Sequence, residues 1–212
     1  MNIFNYEGFA NSTLGKVADI VILNFLLIIF SIPIVTIGAS VTAAHYAVLK
    51  SRRGEGYIWK NFLKSFKENL LQSTILFFLF AIAIALFVLI PLYTAGKISG
   101  LAAVVFSVVD IVFLIFVLFT MTWVFPVQAR FTGNIGITIR NALFLSFKYI
   151  LRTLGMLVVS TLPLAFIFYV HAVWFIILLL LGFSLPVYLS VMMYDKVFEQ
   201  LENQILENSR ME

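Results

Sequence analysis

Apolar residues run in long stretches along this chain, and the polar ones gather between them. Charge-free or nearly charge-free runs occupy about 17–35, 70–92, 101–124, 154–170 and 173–193. A helix needs about 20 apolar residues to cross a bilayer core of about 30 Å. The pattern therefore predicts an all-α, polytopic membrane bundle of about five spans, filling residues 1–194, with a polar tail at 195–212. The junction near His171 carries little turn signal. Residues 154–193 as one straight helix would be about 60 Å long, roughly twice the hydrocarbon thickness, so the chain must turn. Tyr169 and His171 suit such a turn, and a re-entrant segment broken at Pro163 is the competing arrangement.

The polar stretches have characters of their own. Residues 36–49 are rich in Gly, Ala, Ser and Thr, which suits close helix packing, and Lys50, Arg52 and Arg53 then mark a water boundary. Tyr57–Lys67 reads as a basic amphipathic helix: Ile58, Trp59, Phe62, Leu63 and Phe66 recur at helical spacing. Lys60, Lys64 and Lys67 take another face. An anionic membrane surface suits it; a partner-docking helix would look similar and is the second choice. Residues 134–152 form another connecting helix with Arg140, Lys148 and Arg152. The tail carries five acids against Lys196 and Arg210 and reads as a helical extension fraying into solvent.

Composition agrees with the pattern: 62% of residues are hydrophobic and 11% charged, with a mean hydropathy of +1.07. Ten of the fourteen Lys and Arg lie in 36–69 and 125–153. The positive-inside rule puts both segments in the cytoplasm. With five spans the N-terminal end is then outside and the C-terminal end cytoplasmic. The first apolar run lacks a preceding basic cluster and an A-x-A site, so it reads as a retained span rather than a signal peptide. The basic charges flank spans and form no separate domain, so nucleic acid is not an expected partner. There is no cysteine, which removes disulfides and thiolate metal sites.

Few polar residues lie inside the spans. Asp110 is the sharpest, since a mid-span carboxylate costs about 3 kcal/mol on insertion scales and usually faces the bundle or a wet cavity. Ser107 shares its face. Proton, cation or sugar-hydroxyl binding stands level with a plain interhelical contact. Asn24 and Ser31 share a face of the first span and read as helix glue ahead of a ligand site. Asp19 reads as reaching the headgroups, and Gln72 as further glue. Pro33, Pro126 and Pro186 lie where helices can break, and broken helices expose backbone carbonyls. His45 and His171 fall on opposite sides of the predicted bundle, so no metal site is expected from them, and no cofactor either.

Two short echoes suggest an internal duplication. Ser65-Phe66-Lys67 resembles Ser146-Phe147-Lys148, with Asn61 and Asn141 upstream, and Phe30-Ser31-Ile32-Pro33 resembles Phe183-Ser184-Leu185-Pro186. Transporters often contain such repeats.

Asn24 through Gly38 (NFLLIIFSIPIVTIG), Ala44-His45-Tyr46 and Phe62 through Asn69 (FLKSFKEN) with Gln72 resemble the YesL-like family of small bacterial membrane proteins. Pro33, Thr36 and Gly38, with the Ser-Phe-Lys-x-Asn at 65–69, are the most specific part. The resemblance implies a carbohydrate-uptake context beside ABC-type sugar transporters, and no catalytic residues. No P-loop, H-E-x-x-H or G-x-S-x-G occurs, which removes the usual ATPase, zinc-protease and serine-hydrolase readings. The expectation is a non-enzymatic accessory or regulatory protein acting on ABC-type sugar transporter subunits, with the 36–49 stretch as a packing surface and self-association as a further possibility. A small permease or channel using Asp110, Asn24 and the broken helices is the alternative.

Overall fold

In the computed structural model, residues 13–131, 133–168 and 178–211 are described, and among them the chain is helical with no strand. In order come α1 (Thr13–Ser31), a 3-10 turn (Ile34–Thr36), α2 (Ile37–Arg52), α3 (Ile58–Thr94), α4 (Gly100–Arg130), α5 (Ile135–Lys148), α6 (Ile150–Phe168), a π-helical turn (Leu178–Gly182) and α7 (Ser184–Met211). The turn expected near His171 and the start of the fifth predicted span lie outside the described residues.

Pro33 breaks the chain as expected. It has no N–H to continue a helix, and α1 stops two residues earlier. The Phe30 carbonyl left at that end accepts hydroxyl hydrogen bonds from Thr36 (2.6 Å) and Ser40 (2.9 Å), so α2 folds back along α1. At the far end of this hairpin the Ser51 hydroxyl donates to Asp19 at 2.8 Å. The start of α1 therefore lies beside the end of α2. The sequence reading had put Lys16 and Arg52 on opposite sides of the membrane. The α1–α2 hairpin puts them at one end, because α2 is long enough to return the chain.

The small residues of α2 pack as predicted, but inward. Gly38, Ala39, Ser40, Thr42, Ala43, Ala44 and Ala47 are buried, and the packing surface that the sequence offered to a partner is taken up by the protein's own α3. Thr42 and Ser73 share a hydrogen bond of 2.9 Å between their hydroxyls. A methyl group on Gly38 would come within 2.7 Å of the Phe77 Cβ and closer still to the Ser73 carbonyl oxygen.

α3 corrects a second expectation. The basic segment 57–67 and the span 70–92 form one uninterrupted helix of 37 residues, about 55 Å long at 1.5 Å per residue. Its first turns bury Ile58, Phe62 and Ser65. The apolar face expected to lie on a membrane surface thus joins the protein core. α4 returns antiparallel to α3: Phe87 stacks on Phe113 at 5.9 Å, and Gln128 donates to Asn69 at 2.9 Å.

The helix break expected at Pro126 does not occur, whereas the chain does break beside Pro186, between the π-helical turn ending at Gly182 and α7 starting at Ser184. Pro126 lies in the last turns of α4, which runs on to Arg130. Pro186 lies in the first turn of α7, where a missing N–H costs no helical bond. α5 and α6 instead meet at 104° around Tyr149.

The core centres on Trp123, Tyr194, Phe62 and Phe198, all fully buried. The Trp123 indole N–H donates to the Thr153 hydroxyl at 2.8 Å. Val197 and Phe198 have no exposure, so the polar tail expected from residue 195 is still core-packed helix one turn later. Only beyond Glu202 are all described side chains exposed.

Among the described residues, α3 and α4 are each long and apolar enough to cross a membrane, and the bent α5–α6 pair adds a third crossing if counted as one broken span. Almost none of the apolar stretch of α3 or α4 is buried within the protein. Leu71, Leu92, Leu101 and Val104 stand open. Apolar patches of that extent in water would drive association; acyl chains are the solvent that suits them. This chain is a membrane protein.

Candidate functional site: the polar core and its basic end

The intramembrane residues singled out in the sequence do not converge. Asn24 is fully buried, and its side-chain oxygen accepts the backbone N–H groups of Phe183 (2.8 Å) and Ser184 (2.9 Å). A helix start leaves such donors orphaned, so Asn24 caps α7 from across the bundle. The glue reading holds for it, with a partner the sequence could not name. Ser31 lines a separate apolar cavity with Leu27, Ile37, Val41 and Val187. Ser107 returns its hydroxyl to the Ala103 carbonyl of its own helix at 2.9 Å. Asp110 lies half-buried in the α3–α4 hairpin, between exposed Val109 and Ile111, and has no hydrogen-bond or ion-pair partner among the described residues.

What does converge was partly missed. Ser65, Asn69, Gln128 and Thr138 form a chain of hydrogen bonds that joins α3, α4 and α5. Asn69 donates to the Ser65 hydroxyl (3.2 Å), Gln128 donates to Asn69 (2.9 Å), and Thr138 donates to Gln128 (3.2 Å). Gln72 donates to the Gly133 carbonyl at 2.8 Å. In hydrocarbon such pairs are favoured because the alternative is an unsatisfied polar group. Gln72 had been read as helix glue. Gln128 gives no such signal in the sequence, since it lies past the apolar run that ends near Val124.

The two sequence echoes occupy different surroundings. Ser65 and Ser146 are both fully buried, but α3 continues straight past Lys67 while α5 ends at Lys148 and turns sharply.

At the end of the bundle shared by Arg52 and Asp19, three arginines meet two acids of α7. Asp195 accepts from Arg52 (3.2 Å) and pairs with Arg53 (3.6 Å); Glu202 accepts from Arg53 (3.3 Å) and from Arg130. Asp195 and Glu202 are seven residues apart, two turns on one face of α7. The Arg130 hydrogen bond holds the Glu202 carboxyl below its usual range, against the opposing effect of burial. The sequence reading treated Lys50–Arg53 as a bare water boundary and the acids as solvated tail. Paired charges far apart in sequence left no local signal.

Lys60, Lys64 and Lys67 are all exposed, on the face of α3 opposite Ile58 and Phe62. Lys60 lies over the rings of Tyr57 (5.0 Å) and Trp59 (5.4 Å), both also exposed. Lysines beside open aromatic rings are the side-chain mixture of a membrane–water interface.

His45 is the remaining buried ionisable group of note. Its Nδ1 shares a 2.9 Å hydrogen bond with the Tyr194 hydroxyl, and burial lowers its pKa from 6.5 to about 3. The ring is neutral at any physiological pH.

Residues 20–89 match the family described as "Protein of unknown function, DUF624". That stretch is the α1–α2–α3 unit, and it holds the residues on which the YesL-like resemblance rests. No curated protein and no solved structure matches the chain. The motif residues now have structural work. Pro33 breaks the chain, Thr36 binds the freed carbonyl, Gly38 admits α3, and Ser65 with Asn69 begins the polar chain to α4.

Proposed function

We propose that this chain, similar over its first three helices to a family of bacterial membrane proteins without an assigned role, is a non-enzymatic accessory or regulatory subunit of a membrane assembly. The observation that carries this reading is Asp110. A half-buried carboxylate without a partner among the described residues, in a hairpin otherwise clad in apolar side chains, is costly in a bilayer. A second transmembrane protein that donates a hydrogen bond or a positive charge at that depth relieves the cost. The carbohydrate-uptake context comes from the YesL-like resemblance, and it makes ABC-type sugar transporter subunits the partner to look for.

The end of the bundle carrying Lys16, Arg52, Arg53, Arg130 and α7 faces the cytoplasm in this reading. Positive charge favours that side, and the α1–α2 hairpin brings Lys16 to it. Lys97, in the turn between α3 and α4, then lies outside. The exposed face of Lys60, Lys64 and Lys67 meets anionic headgroups of the inner leaflet.

The permease alternative has less support. Asn24 is committed to capping α7, and Asp110, Ser31 and the proline sites line no common path among the described residues.

Affinity purification in mild detergent tests the reading. Wild type should bring down transporter subunits in fixed ratio, and Asp110→Leu should lose them while keeping the monomer's thermal stability. A homo-oligomer alone, unaffected by Asp110→Leu, would refute the accessory role.

A further inference from the structure

Behind α2 lies a cavity of about 420 Å³. Such a volume is in the range of small-molecule sites. Its walls are mostly apolar, with Phe77 of α3, Leu118 and Met121 of α4, and Met156 of α6 among them. His45 lines it too, and is only 7% exposed.

The hydrogen bonding of His45 fixes what it presents there. Its Nδ1 is engaged with the Tyr194 hydroxyl, and Tyr194 is fully buried. A buried O–H left without an acceptor costs about 1–3 kcal/mol. Among the described residues the only partner of that hydroxyl is Nδ1, so the hydroxyl donates and Nδ1 accepts. A neutral ring then carries its proton on Nε2, which has no hydrogen-bond partner among the described residues and belongs to a ring that lines the cavity. A second polar feature adds to it: Thr122 and Pro126 both line the space, and proline, lacking an N–H, leaves the Thr122 carbonyl without its usual helical donor.

Depth selects the ligand. α2 and α3 run antiparallel with Thr42 opposite Ser73. His45, nearly one turn on, is level with Asn69 and Leu70, where the apolar run of α3 begins. The polar donor thus lies at the level of the membrane interface. The apolar walls at Phe77 and Leu118 lie deeper, on the two membrane-crossing helices, with half-buried side chains at the cavity edge. A polar donor at the interface above a mostly apolar slot is the outline of an acyl-ester site.

We propose that this cavity binds one acyl chain of a bilayer lipid, whose ester carbonyl accepts a hydrogen bond from His45 Nε2–H. The chain enters sideways from the bilayer between α4 and α6 and lies against Met121 and Met156.

The test uses the full-length protein in nanodiscs doped with a monoacylglycerol bearing a diazirine in its chain, with adducts mapped by peptide mass spectrometry. Adducts should fall on the peptides holding Met121 and Met156. They should drop about tenfold, or about 1.4 kcal/mol of binding, in Ser190→Leu, which narrows the slot and leaves the His45–Tyr194 pair in place. In parallel, the His45 Nε2 resonance should shift with the ester lipid and stay still with an alkane of equal length. Adducts spread evenly over the lipid-facing helices would overturn the site. Adducts at the site with no Nε2 shift would overturn the role of His45. Absence of adducts at Met121 and Met156 would overturn the proposal.

Discussion

Arg53 donates from Nη1 to the Glu202 carboxylate at 3.3 Å, across 149 residues of sequence. With Arg130 on the other carboxylate oxygen and Asp195 beside Arg52, this contact fastens the C-terminal helix to the ends of α2 and α4. Partly exposed pairs contribute about 1 kcal/mol or less each, but several here share partners. Glu202→Gln should lower stability by about 1 kcal/mol in thermal unfolding at neutral pH. The Glu202 carboxyl titrates below its ordinary value of 4.5. Its contribution is therefore complete above that pH and is lost as pH falls through the depressed folded value. Wild type and variant should melt together in acid.

His45 gives a pH dependence of its own. The folded ring titrates at about 3, against 6.5 for the free side chain. Between those values the unfolded chain binds a proton that the folded one does not, so stability falls as pH drops through 6.5. Chemical denaturation of wild type and of His45→Gln should diverge in slope across that interval, with the variant flatter. A His45 resonance that titrates near 6.5 in the folded protein would contradict the burial.

Gly38→Ala should cost about 1–3 kcal/mol through overpacking. The added methyl meets the Ser73 backbone and the root of the Phe77 side chain, neither of which can swing away. The same change at Gly136, where the added methyl would meet only the Asn134 side-chain oxygen at 3.6 Å, should leave the melting temperature of the purified protein almost unchanged.

Asn24→Leu keeps the branched side-chain shape and removes the acceptor. Two backbone donors at the start of α7 would be left without it, at about 1–3 kcal/mol. Amide exchange at Phe183 and Ser184 should quicken before exchange at Tyr194 does. Equal rates in variant and wild type would deny Asn24 its capping role.

The sequence made the membrane class and the helical content legible, because charge-free runs of that length have few other uses. It also gave the break at Pro33 and the close packing of α2, since proline chemistry and small side chains act locally. It misread Tyr57–Lys67 as a separate surface helix: a periodic apolar face looks the same whether it meets lipid or Phe30. The arginine–acid cluster and the Asn24 cap join residues more than a hundred positions apart, and no periodicity announces them. Pro126 failed to break α4 because a helix within a few residues of its end can forgo one hydrogen bond. Asp110 was found and remains the most telling single residue. His45 was considered only as a metal ligand, and its pairing with Tyr194 needed the fold.

The hairpin of α1 and α2 is the central claim, and its most direct test is sidedness. The chain has no native cysteine, so single cysteines at Lys16, Lys97 and Ser209 report without background. A membrane-impermeant maleimide applied to intact cells should label the Lys97 position alone, and Lys16 and Ser209 only after permeabilisation. Labelling of Lys16 together with Lys97 would place the start of α1 on the opposite side from Arg52 and contradict the account.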